Sequence, residues 1–214
     1  MNTSTSFQDN WFPFDFFNSD LTTPQPTGDA DLLKQLSFIP GLKEILTVRQ
    51  VHALEHATVW VLSELNSDTG RPSKIQVDNE LLSGLSTDRG FYLYGEVNIS
   101  DLRRAVTLAL HRLTHGEWDL AVHPRCGTNL SVAMLMTAGL AVGVNLLLPF
   151  RPIEQLIGLG LAATTAVELA PDVGSIAQRY LTTAIPFNLA VENIAIARDV
   201  WGHQGHFVKL KWQD

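Results

Sequence analysis

Apolar positions along the chain change period several times, and each change marks an element. Over residues 31–46, Leu32, Leu33, Leu36, Ile39, Leu42 and Ile45 recur at helical spacing, with a break at Pro40-Gly41. Thr47 reads as the N-cap of a second helix over 48–65. Its positions Val51, Leu54, Val59, Trp60 and Leu62 make it apolar nearly all round, and a helix of that kind is buried in protein or lipid. Residues 66–98 turn to Gly, Pro, Asp and Ser with β-prone runs at 74–77 and 90–97, which predict a small hairpin insertion. Ser100-Asp101 then predicts the cap of a helix ending near Thr114.

The run from 128 to 150 carries no charged residue, and about 20 such residues cross a ~30 Å hydrocarbon layer. Pro149-Phe150-Arg151-Pro152 stops it, and a second apolar run over 153–170 follows. That run is rich in small residues (Gly158, Gly160, Ala162, Ala163, Ala166), a composition suited to close helix packing in lipid. The two runs predict a transmembrane hairpin turning at Arg151; the alternative is a buried hairpin of a soluble protein. Arg103, Arg104, Arg112, Arg125, Arg179, Arg198, Lys209 and Lys211 all fall outside the hairpin, on the side opposite Arg151. The positive-inside rule puts that side, with both termini, in the cytoplasm. Beyond Pro171 the pattern predicts a short helix and then a last helix over 188–201 carrying Glu192 in its apolar first turns. A C-terminal tail over 202–214 follows, whose His203 and His206 are expected to face solvent.

Chemistry concentrates in the second helix. His52-Ala53-Leu54-Glu55-His56 has the H-x-x-E-H spacing, the reversed zincin signature, in which both histidines bind zinc and the glutamate acts as general base. The four-residue step brings both imidazoles to one helix face, with Glu55 beside them. Inside an apolar helix these groups are costly unless paired or metal-bound. His123-Pro124-Arg125-Cys126-Gly127-Thr128 adds an imidazole and the chain's single cysteine three positions apart. Cys126 alone would read as a small buried hydrophobe. His111 and His115 are also four apart, but Arg103, Arg104 and Arg112 around them mark a solvated face.

Composition narrows the class. A net charge of -7 offers no basic face for nucleic acid. One cysteine excludes an internal disulfide framework. Residues 1–30 lack the basic start and apolar core of a secretory signal and read as a disordered tail. Within that tail, Trp11-Phe12-Pro13-Phe14-Asp15-Phe16-Phe17 suits a membrane interface, a partner surface or a packing strap.

H-x-x-E-H, then His-Pro-Arg-Cys-Gly-Thr opening an apolar helix, then Thr-Thr-x-x-Pro with a glutamate six residues on resembles the bacterial YqhQ-like membrane proteins, described as predicted metal-dependent enzymes of unknown function. The nearer resemblance is to a cyanobacterial branch, a domain family of unknown function. It covers roughly residues 48–198. The resemblance implies a shared polar centre of His52, Glu55, His56, His123 and Cys126, joined by Glu168 and Glu192. Two features depart from it: the stretch between His56 and His123 is longer, and Ile185 stands where an acidic residue is usual.

Together these readings predict a mainly α fold. A single helical membrane domain over 31–201 would carry a two-helix transmembrane hairpin and a cytoplasmic helical cap with the hairpin insertion. Membrane lipid is the expected partner, and the small-residue run suits a second copy or another membrane protein. Zinc, or another divalent metal, is the expected cofactor, held by ligands from His52, His56, His123, Cys126, Glu168 and Glu192. With an open coordination position the site would be a hydrolase in which Glu55 takes a proton from water. With four protein ligands it would be a closed structural metal, and the protein a membrane scaffold. Metal transport, and a hydrogen-bonded polar cluster without metal, are the remaining readings.

Overall fold

The computed structural model describes residues 24–25, 28–66, 81–147 and 151–213. The aromatic cluster at 11–17 and the β-prone run at 74–77 lie outside them. In chain order the elements are α1 (Gly28–Gln35), α2 (Leu42–Asn66), β1 (Ser83–Thr87), β2 (Gly90–Tyr94), α3 (Ile99–Thr114), α4 (Gly127–Leu147), α5 (Pro152–Ala177), β3 (Leu189–Arg198) and β4 (Gln204–Trp212). A 3-10 turn at Trp118–Ala121 and a π-helical turn at Gln178–Thr182 flank the α4–α5 hairpin. The described chain is mostly helical, as expected, with one small antiparallel sheet.

The motif helix α2 is the axis of the core. It begins at Leu42, after Gly41 takes a φ of +80°, a backbone that favours glycine. Thr47 is therefore inside the helix, and its hydroxyl donates to the Lys43 carbonyl rather than capping an end. Val51, Leu54, Ala57, Val61 and Leu62 are buried against Leu102, Ala105, Val106, Ala109 and Leu113 of α3 and against the sheet. Asn98, not Ser100, caps α3: its side-chain oxygen accepts from the Ser100 N–H at 2.8 Å.

The sheet corrects the C-terminal third. Residues 188–201, expected as a helix, form strand β3, and the expected tail supplies β4. The strand order is β1-β2-β4-β3, antiparallel throughout, so the two chain-distant hairpins form one sheet. In β4, Val208 and Leu210 are buried while Lys209 and Lys211 are exposed, the period-2 alternation of a half-buried strand. A register shift between Val191 and Asn193 marks a bulge in β3 and obscures the same period there. At the β3–β4 turn, Asp199 accepts from the Trp201 and His203 N–H groups at 2.9 and 2.8 Å and from Tyr94 Oη at 2.7 Å. Burial opposes its ionisation, but these donors outweigh it and hold the carboxyl down at about 2.

Helices α4 and α5 are each long and apolar enough to cross a membrane. No residue of α4 is buried, and Leu135, Leu146, Leu156, Leu161 and Val167 stand exposed. The buried residues of α5 are Gly158, Ala162, Ala166, Ala170 and Gly174, one stripe of small residues at a spacing of four, packed on α4. A Cβ on Gly174 would lie 2.2 Å from Asn129 Oδ1, which shows how closely the two backbones approach. α5 does not end at Pro171 but continues through it to Ala177. Enlarging the stripe should separate the helices. Ala166→Leu should destabilise the protein by about 1–3 kcal/mol, and Ala163→Leu on the exposed face should leave it unchanged. Thermal unfolding in detergent measures both.

Candidate metal centre

One turn of α2 sets the site. His52 and His56 present their rings on one face, 4.3 Å between centroids. His52 Nδ1 lies 3.1 Å from the Thr182 carbonyl oxygen and His56 Nδ1 lies 2.7 Å from that of Ala121. A carbonyl only accepts, so each Nδ1 carries the proton and donates it. Each Nε2 is thereby left as a lone-pair donor with a fixed direction. Main-chain carbonyls holding the far nitrogen are the usual support of a metal-bound histidine.

The third group arrives from the loop before α4. Cys126 is buried, and its Sγ is 3.2 Å from His52 Nε2. The ligand atoms of His52, His56 and Cys126 all lie within 4.8 Å of one another. Burial raises the Cys126 thiol pKa, but the His56 charge and hydrogen bond and the Thr128 N–H at 3.4 Å outweigh it, so the net shift is downward. Two imidazoles, once they have given up their Nε2 protons, and a thiolate-prone sulfur make a donor set that suits zinc.

Glu55 is held beside this group. It is buried, and its Oε2 accepts from Ser86 Oγ at 2.5 Å. Burial raises its pKa, partly offset by that hydrogen bond and by the charge of His52. Gly84 lies over the same carboxylate, where a Cβ would come 2.2 Å from Oε1 and 2.4 Å from Cδ. Leu82, Gly84 and Ser86 thus turn the same face of β1 toward α2. Neither Ser86 nor Gly84 was expected from sequence, because nothing short-range links β1 to a helix 30 residues earlier.

His123 is adjacent to the group without joining it. Its ring centroid lies 5.6 Å from that of His56 and 4.6 Å from that of Trp60. Its Nδ1 accepts from the Arg125 N–H at 3.3 Å, so that nitrogen is engaged within the loop. Gln178, fully buried, accepts the His123 N–H at 2.8 Å and donates to Asn129 Oδ1 at 2.7 Å. Asn129 in turn donates to the Pro124 carbonyl at 2.7 Å. These bonds fix the loop that delivers Cys126. Glu168 and Glu192 lie outside the group: Glu168 is exposed on α5, and Glu192 is exposed on β3, 3.1 Å from Lys209 Nζ. Glu168 is ten residues from Gln178, about 15 Å along a helix. His111 and His115 stack on each other on exposed α3 surface, as expected.

A cavity of about 380 Å³ opens onto these groups, lined by His52, Glu55, His56, His123, Cys126, residues 83–86, Arg125 and Gly127 at the start of α4. The site therefore combines three convergent donors, a carboxylate held in place and space for a small reactant.

No solved structure matches this chain. An uncharacterized protein of Picosynechococcus sp. (strain ATCC 27264 / PCC 7002 / PR-6) is 53% identical over 199 residues, which covers 93% of this chain and 96% of the relative. The model of a domain of unknown function, DUF6391, matches residues 47–194, from Thr47 in α2 to Ile194 within β3. The expected cyanobacterial family of unknown function is borne out, and the chain belongs to the DUF6391 family.

Proposed function

We propose that this protein is a membrane-anchored, zinc-dependent hydrolase whose site lies at the root of the α4–α5 hairpin, on the cytoplasmic side. The observation that carries the reading is the pair of Nδ1–H···carbonyl bonds, which aim two imidazole Nε2 atoms at the Cys126 sulfur. Three protein donors with a carboxylate alongside and a cavity in front is the composition of a catalytic metal site, in which one coordination position stays open. When bound, the ion supplies Lewis acidity, lowering the pKa of a water and polarising a carbonyl or phosphoryl group.

The chain's own residues do the rest. Glu55 accepts the proton of the attacking water, and the Ser86 hydroxyl keeps its carboxylate turned toward the cavity. Cys126 and the two histidines hold position because their supports are main-chain groups of three different segments. The resemblance to the YqhQ-like proteins, predicted metal-dependent enzymes, favours a metal at this site. Burial of lipid-facing α4 and α5 side chains offsets an exposed apolar surface that water would penalise.

A scaffold with a closed structural metal is the second reading, and His123 is the observation that bears on it. Ligation through Nδ1 would break the Arg125 N–H bond that shapes the Cys126 loop.

Metal analysis of detergent-purified protein should give about one zinc per chain, lost in His56→Ala and in Cys126→Ala. Wild-type protein without metal, purified free of chelators, would overturn the hydrolase. Glu55→Gln should keep the zinc and lose hydrolysis by a factor of about 10² or more; loss of the metal instead would make Glu55 a ligand. Gly84→Ala should resemble it, since the new methyl occupies the place of the carboxylate, with metal content unchanged.

A further inference from the structure

Strand β1 is the edge of the sheet, and among the described residues no strand pairs with its outer side. Its register decides which main-chain groups are left there. β1 and β2 are joined by the two-residue loop Asp88-Arg89, and Thr87 faces Gly90 across it. A hairpin of this length closes on a hydrogen-bonded pair. Alternation then turns the N–H and C=O of Thr87, Leu85 and Ser83 toward β2, and those of Gly84 and Ser86 outward. These two are the residues whose side-chain face meets Glu55. The outward amides and the carboxylate thus belong to the same short segment.

Space flanks β1 on both faces. On one side lies the metal-site cavity, lined by Ser83–Ser86 with His52, Glu55 and Cys126. A second hollow, lined by Ser83, Gly84 and Leu85, is completed by Tyr94, Asp199, Trp201 and His203. An added strand sends successive side chains to opposite faces. An extended chain on this edge would have a hollow for each set and its carbonyls beside the donor cluster. An acyl chain cannot pair with outward amides, and a phosphate ester could accept from their N–H groups but would leave their carbonyls unmet, whereas a peptide meets both.

We infer that the substrate is an extended polypeptide segment that adds as a strand to the outer edge of β1, bonding to Gly84 and Ser86, so that the enzyme is a peptidase. This inference rests on the hydrolase reading of the site. Main-chain pairing would supply affinity and the two hollows would supply side-chain preference.

The test uses full-length, zinc-loaded protein in detergent and three hydroxamates, which chelate the metal without being cleaved: acetohydroxamate, octanoyl hydroxamate and a leucine-containing tripeptide hydroxamate. The tripeptide compound should bind at least about 10-fold tighter than both others, each tenfold step corresponding to about one or two net hydrogen bonds. Methylating alternate peptide nitrogens should abolish the gain in one isomer and spare it in the other. Hydrogen exchange gives a readout apart from affinity: the Gly84 and Ser86 amides should exchange fast in free protein and become protected on binding the tripeptide compound. Equal binding of octanoyl and tripeptide hydroxamates, or indifference to both methylations, would overturn the peptide assignment while leaving the metal site standing. Protection of Gly84 and Ser86 before any ligand is added would also overturn it, since the chain itself would then occupy the edge. Absence of zinc together with no acetohydroxamate binding would instead bring down the hydrolase reading, and this inference with it.

Discussion

Three polar, ionisable groups on one turn of an otherwise buried apolar helix are the constraint around which this structure is organised. A buried imidazole or carboxyl without partners costs several kcal/mol in lost hydration. Helix α2 cannot satisfy them itself, because its main-chain groups are spent in its own ladder. Partners therefore come from outside: Ala121 from the 3-10 turn, Thr182 from the π-helical turn and Ser86 from β1. Each bond ties a segment distant in sequence to the same turn of α2. The π-helical turn has a local explanation in these terms. Its wider spacing is seen in the Thr183 N–H to Gln178 carbonyl bond, five residues apart, and it ends α5 with the Thr182 carbonyl available to His52.

The same logic couples the site to the apolar hairpin. Cys126 is the residue immediately before α4, and Gln178 is the residue immediately after α5. The Gln178–Asn129 bond joins the two helices at that end, while Gln178 also holds the main chain of His123. Close packing along the Gly158–Gly174 stripe thus fixes where the cysteine can stand relative to α2. A helix pair that slid or separated would move Cys126 out of reach of His52. The hairpin is thus a positioning device for the site.

Much of this was legible in the sequence, for physical reasons that differ between elements. The first apolar helix could be read because more than twenty uncharged residues in a row leave few alternatives, and the second because its small-residue apolar run follows at once after Pro149-Phe150-Arg151-Pro152. His52, Glu55 and His56 could be read because helical spacing is local, and Cys126 because its neighbour His123 marked the loop. β3 was misread because its bulge at Val191/Asn193 interrupts the alternation, leaving an apolar, alanine-rich run that fits a helix equally well. In β4 the signal was present in Val208-Lys209-Leu210-Lys211 and was overlooked next to a histidine-rich tail. Glu168 and Glu192 were drawn in by the resemblance, yet each is on a surface facing away. Ser86 and Gly84 had no signal at all. They matter only because the sheet lays β1 across α2, a contact between segments about 30 residues apart that no pattern within either segment encodes.

The placement of His123 bears on which of two metal chemistries this fold can support. A closed four-ligand site would draw in the nearest remaining donor, and His123 is that donor by distance between rings. Its Nδ1 accepts a main-chain N–H two residues on, and its own N–H is bonded to Gln178, so both ends of the residue serve to shape the loop. Its ring packs on Trp60, whose indole Nε1–H donates to the Val122 carbonyl next to it. Recruiting His123 through Nδ1 would cost that loop its internal bond and shift the Cys126 it delivers. In the observed bonds His52, His56 and Cys126 converge beside the Glu55 carboxylate, while His123 lines the same cavity from the loop. Glu55 shares its α2 turn with both histidines, and the Ser86 hydroxyl of β1 sets the direction of its carboxylate from the opposite side.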